Sequence, residues 1–258
     1  MLEAMLYTLG GALVIFLIIL FGFMIIFDDS VILILLLFRK QYLRYHGTCI
    51  YIKDDQEILV VGSLHGFHRK VKNYGLHHLK AILNNYNPDL LLLEGRQEQY
   101  DQGNIIDGPI EMGYLMLEAL DKNFLVKGID YYTRDSKPGS TTNDRDDEMI
   151  KRMINSSAGS RKVLAVVGAS HEVIFRKKMK KLGFTRVKIT KERNDKLFLT
   201  EENDFYLTTK YPEYLDIKLA AAEKETEIIS DKYKERNQRY LADIRKFKNS
   251  EYLKSKIK

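Results

Sequence analysis

The sequence predicts an α/β body, with a mostly parallel central sheet and flanking helices, set between an N-terminal transmembrane helix and a long C-terminal amphipathic helix. Three observations carry this. Between residues 58 and 189, short apolar runs alternate with stretches whose apolar residues recur at helical spacing, the pattern of successive βαβ units. Residues 4–27 carry no charge and are rich in Leu, Ile and Phe, which is long enough to cross a bilayer as a helix. After Pro212, charged residues alternate with Tyr233, Tyr240, Ile244 and Phe247 near heptad spacing, the pattern of an amphipathic helix. The implied divisions are an anchor with its juxtamembrane segment at 1–45, the α/β domain at 46–211 and a helical segment at 212–258.

The anchor is read as a retained span, because no Lys or Arg precedes the run and no small-x-small cleavage site follows it. Asp28 and Asp29 end it. The apolar run 31–38 that follows is too short to cross as a helix. Arg39, Lys40 and Arg44 come next, and by the positive-inside rule they favour the cytoplasmic side for the body.

In the body, 58–62 reads as a strand, 74–86 as a helix broken at Asn87-Pro88-Asp89, and 90–93 as a buried strand ending at Glu94. A helix at 110–122 follows, then a strand at 124–129 ending at Asp130, and a helix at 144–154. The strand 163–167, a helix at 172–182 stopped by Gly183, and a strand at 186–189 complete the body. In a parallel sheet the C-terminal strand ends lie along one edge, where ligands bind. His65, Glu94, Asp130 and His171 each fall just past a strand, so they are expected to meet there. Two further histidines, His77-His78, are read as exposed on a helix, and His68 as a surface residue, with membership of the site as the alternative.

The composition narrows the function classes. The chain has 258 residues and a formal charge of +6, and much of the excess lies in the Lys-rich last forty or so residues. That describes a basic tail able to approach acidic lipid, and no nucleic-acid partner is expected. A single cysteine, Cys49, excludes an internal disulfide and a cysteine-held zinc. No phosphate-cradling G-x-x-x-x-G-K-[ST] loop or nucleophile-elbow serine is present.

Two matching units, Gly62-Ser63-Leu64-His65 and Gly168-Ala169-Ser170-His171, plus a strand-end Glu94, do point to chemistry. Two imidazoles and a carboxylate suit a divalent ion such as Mn, Co or Zn. His65 and His171 are the expected ligands, and Glu94 either a ligand or a general base. Arg145 would steady a carboxylate or an oxyanion. Gly62 and Gly168 suit tight turns and close backbone approach.

These residues, over roughly 58–189, resemble the TraB/Tiki-like superfamily, which includes GumN-type proteins and more distant ChaN and erythromycin-esterase relatives. The resemblance rests on the two Gly-x-x-His units. It also rests on "NPDLLLLEGR", with Pro88-Asp89, Glu94 and Arg96, and on "NDRDDEM", matching at Arg145, Asp146 and Met149. It implies a two-histidine, one-glutamate site. In Tiki-type proteins such a site is linked to metal-dependent proteolysis of signalling proteins, in TraB-type proteins to silencing of peptide pheromones, and in ChaN-type proteins to haem-iron uptake. The sequence departs from the pattern at Glu172, Val173 and Ile174, where a glycine is frequent, and at Asp144, where a Glu is frequent. The expected function is therefore a membrane-anchored metal-dependent hydrolase, most simply a peptidase acting on a peptide or protein signal. The alternatives are a non-catalytic haem- or peptide-binding protein using the same pocket, and a membrane scaffold with a C-terminal interaction helix able to self-associate.

Overall fold

The computed structural model describes residues 47–131 and 143–258, apart from 70, 72 and 73, together with residues 11, 15 and 16. The chain divides into two compact units, Met1–Leu43 and Arg44–Lys258. The expected span at 4–27 and the run 31–38 lie outside the described residues, apart from helical positions 11, 15 and 16. Among the described residues no helix is long and apolar enough to cross a membrane. Residues 132–142 also lie outside them.

The second unit is a six-stranded sheet with flanking helices. Its strands are β1 (Thr48–Lys53), β2 (Gln56–Ser63), β3 (Leu90–Leu93), β4 (Val126–Gly128), β5 (Lys162–Gly168) and β6 (Thr185–Val187), in the order β4-β3-β5-β2-β1-β6. The pairs β4/β3, β3/β5 and β5/β2 are parallel. The pairs β2/β1 and β1/β6 are antiparallel. The sheet is thus mixed: β1 alone opposes the other strands.

β1 is the strand that the sequence reading omits. Its alternation is hidden because Cys49, Ile50 and Tyr51 are all buried, and its apolar stretch is short, lying between Thr48 and Lys53. A tight turn returns it to β2, with Asp54 in the left-handed region at φ 52, which Asp tolerates better than most residues.

Leu90–Leu93 are all buried, as are Leu164, Ala165, Val166 and Val167. Strands covered on both faces read as continuous apolar runs, which is why they were visible in the sequence. Among the described residues, nine helices lie between and after the strands of the body and its C-terminal extension. They are α1 (Leu76–Tyr86), α2 (Gln97–Asp101), α3 (Ile110–Asp121), α4 (Asn143–Ser157), α5 (Ala169–Lys181), α6 (Lys191–Leu197) and α7 (Tyr211–Ile228), with α8 (Asp231–Lys248) and α9 (Glu251–Lys256) after them. On one face, Tyr51, Val60, Leu92, Ala165 and Val167 pack with Met149 and Met153 of α4 and Phe175 and Met179 of α5. Toward the other, α3 packs on β3 and β4 and against α1.

The C-terminal segment is not one long helix. Ile229 and Ser230 are extended, so α7 ends and α8 begins anew, and the two pack as a hairpin. Ser before Asp is a start signal, and the Tyr233–Phe247 spacing lies wholly within α8. The hairpin docks on its own body. Arg96 Nη1 donates to Glu225 Oε1 at 2.5 Å, and Lys218 Nζ donates to the carbonyls of Ile106 and Gly108 at 2.8 and 2.5 Å.

Candidate active site

The parallel pairing of β2 with β5 places Ser63 opposite Gly168. His65 and His171 therefore leave neighbouring strands at the same edge. His65 opens a 3-10 turn (His65–Arg69) with φ 49, in the left-handed region. Such a conformation costs a side-chain-bearing residue about 1–2 kcal/mol, and here it turns the imidazole back over β5. Glu94 follows β3, with its N–H on the carbonyl of Val166, and Asp130 follows β4, with its N–H on the carbonyl of Gly95. All four expected strand-end residues thus share one edge.

Glu94 is the centre of the arrangement. Its Oε2 accepts the Gly168 N–H at 2.5 Å, and its Oε1 accepts Arg145 Nη2 at 3.0 Å and lies 3.3 Å from His171 Nε2. A Cβ placed on Gly168 would lie 2.6 Å from His65 Nε2 and 3.2 Å from Glu94 Oε2. His65 and Glu94 therefore meet over a backbone point that only glycine leaves open. At Gly62 a Cβ would come within 3.0 Å of the Gly47 carbonyl oxygen and 3.1 Å of Ala169 Cα. Both glycines serve close approach; neither takes a positive φ.

Arg145 holds Asp130 with two hydrogen bonds of 2.9 Å, and its Nη1 lies 3.3 Å from His171 Nε2. Asp146 accepts from His171 Nδ1 at 2.5 Å. Arg96 is outside this cluster. It binds Asp107 at 2.9 and 3.0 Å as well as Glu225, and so ties the loop after β3 to α7. A cavity of about 340 Å³ opens on the Glu94 and Arg145 side of the cluster, lined also by Arg96, Asp107, Asp130 and, from the C-terminal hairpin, Tyr240; neither His65 nor His171 lines it.

The charges are strongly coupled. Burial alone would raise the Glu94 carboxyl, but the positive charges of His171, His65 and Arg145 hold it well below the usual carboxylate range. Burial lowers His171, and the negative charge of Glu94 with the Asp146 hydrogen bond more than reverses this, lifting it to about 9. His65 is raised in the same sense: Glu111 outweighs burial. Burial, with Glu94 nearby, pushes Asp130 upward against the pull of Arg145.

No family model matches the chain, and neither a curated protein nor a solved structure does.

Two residues stand at the site that the sequence reading did not place there. Glu111, in the first turn of α3, is fully buried and accepts from His65 Nδ1 at 2.8 Å and from Ser63 Oγ at 2.7 Å. Its signal was a glutamate one turn before Leu115, on the apolar face of a helix. Tyr240 could not be assigned without the hairpin. Three other histidines are corrected. His68 is buried: its Nε2 accepts the Leu64 N–H at 2.8 Å and its Nδ1 donates to the Tyr74 carbonyl at 2.6 Å, so it braces the turn carrying His65. His77 and His78 are also buried, as adjacent rings 4.1 Å apart, and His78 Nδ1 accepts the Gly75 N–H at the start of α1.

The donor set fits a divalent ion in kind. Two imidazoles, each backed by a buried carboxylate at Nδ1, face a third carboxylate, the arrangement in which outer carboxylates orient metal-binding histidines. Among the described residues, no three His, Cys, Asp or Glu side chains already close around one point as ligands would. Arg145 stands against both Glu94 and His171 Nε2.

Proposed function

We propose that this chain is a metal-dependent hydrolase, membrane-anchored through residues 4–27, acting on a peptide or protein at the His65–Glu94–His171 centre. The observation that carries the reading is the meeting of His65 and Glu94 over Gly168, with His171 Nε2 3.3 Å from the same carboxylate. The likeness of its motifs to the TraB/Tiki-like pattern supports the peptide class. His65 and His171 would hold Mn, Co or Zn through Nε2, together with Glu94. A divalent ion so held lowers the pKa of a bound water and polarises a carbonyl.

The chain's own groups divide the remaining work. Glu94, kept fully ionised, is suited to hold positive charge and poorly suited to take a proton, because a useful base has a pKa near the working pH. This favours the ligand role over the base. Asp130, pushed upward by burial in the same cavity, is the carboxyl better placed to exchange a proton. The Arg145 guanidinium can turn its donors toward negative charge developing on a carbonyl oxygen.

The test is metal content. Full chain dialysed against Mn, Co or Zn should retain an ion, and the His65→Ala, His171→Ala double variant should lose it. Equal content in both would sink the metal reading. A second reading, a ligand-binding protein without turnover, is favoured by one observation: Arg145 already satisfies Glu94, Asp130 and His171 as a closed network. Haem or peptide binding that survives Glu94→Ala, with no hydrolysis in any metal, would support it. The scaffold reading is weakened, because Leu215, Ala222, Leu241 and Ile244 of the C-terminal hairpin are buried within the chain itself.

A further inference from the structure

His65 and His171 are held from behind in matching ways. Each follows a strand, and each gives its Nδ1 to a fully buried carboxylate in the first turn of a helix: Glu111 of α3 for His65, Asp146 of α4 for His171. We propose that Glu111, supported by Ser63, is the positioning residue of His65 and the counterpart of Asp146, so that both Nε2 atoms are left as the working nitrogens. The proposal rests on the reading of the His65–Glu94–His171 centre given above.

The argument is one of cost and freedom. A buried carboxylate is expensive unless its oxygens are bonded. Glu111 uses Oε1 for both the imidazole and the Ser63 hydroxyl, while its Oε2, like Oδ2 of Asp146, has no hydrogen-bond partner among the described residues. What compensates the Glu111 charge is therefore concentrated on one oxygen, where His65 sits.

The two rings also differ in how far their surroundings confine them. The His171 side chain is 3% exposed and has polar neighbours at both ring nitrogens, whereas that of His65 is 43% exposed. A ring open on one side is free to turn about χ2 unless a bond stops it. With Nδ1 donating to Glu111, a neutral ring carries its lone pair on Nε2, the atom that overhangs Gly168 beside Glu94. Ser63 closes the triangle: its Oγ donates to Glu111 at 2.7 Å and stands 3.4 Å from His65 Nδ1. It is also the β2 residue paired with Gly168, so the orienting group and the crowded glycine are set by one register.

The test uses full chain in detergent, metal-free and labelled with 15N-histidine, and reads the slowly exchanging Nδ1-bound protons. Wild type should show one for His65 and one for His171. Glu111→Leu should remove the His65 resonance and leave that of His171, and Asp146→Leu should do the reverse. Glu111→Gln and Ser63→Ala, which disturb the interior less, should each move the His65 resonance alone. They decide the matter if the leucine variant does not fold. An unmoved His65 resonance in the glutamine variant overturns the proposal. So does a wild type without that resonance. In a separate measurement, Mn2+ should bind Glu111→Gln about 10–100-fold more weakly than wild type. If wild type takes up none of Mn2+, Co2+ and Zn2+, the metal reading fails, and the positioning role still stands or falls on the resonances.

Discussion

A methyl group added at Gly168 would enter the space that His65 Nε2 and Glu94 Oε2 now share, at 2.6 and 3.2 Å. The backbone itself permits alanine there, since φ is −55. Gly168→Ala should therefore displace the His65 ring at a cost of about 1–3 kcal/mol, the usual range for overpacking. The expected result is a lowered denaturant midpoint with the His65 ring resonances shifted; unchanged resonances would contradict the crowding. His68 makes a second prediction. Burial lowers its pKa, and its Nε2 must stay unprotonated to accept the Leu64 N–H. A histidine kept neutral when folded contributes stability that is present above its unfolded pKa of about 6.5 and is lost as pH falls toward the folded value. Stability should thus decline below about pH 6.5, with the His68 ring of the folded protein titrating below its ordinary value. A His68 ring that titrates at its ordinary value by NMR would refute this.

At the level of elements, the docked hairpin matters most. The Lys218 ammonium is buried and satisfies two loop carbonyls, Ile106 and Gly108, beside the cavity. Lys218→Met keeps the aliphatic stem and leaves both carbonyls without their donor. Hydrogen bonds to a charged group contribute about 1.5–3 kcal/mol, so the variant should lose about that much in chemical unfolding. Amide exchange should quicken in the loop 104–109 and in α7, and should stay slow in β2 and β5. Exchange that quickens equally everywhere would mean that the hairpin is not a separable cover.

For the whole molecule, what could be read in advance followed from burial. β3 and β5 announced themselves because both faces are covered and no polar residue interrupts them. The two Gly-x-x-His units were legible because strand, glycine and histidine lie close together in sequence. β1 was missed because its apolar stretch, Cys49 to Ile52, is short and shows no alternation, and the break at Ile229-Ser230 because the helical spacing read in the sequence, Tyr233 to Phe247, lies wholly after it. Glu111 and Tyr240 were missed for a deeper reason: their roles depend on contacts between elements far apart in the chain. The pairing of β2 with β5 shows what this entails. Each strand brings one histidine with its glycine, so a chain cut between them would carry half a centre in each fragment. Mixing the two fragments and watching the His65 and Glu94 environments return would then report reassembly, making the centre a built-in sensor of whether the fold has closed.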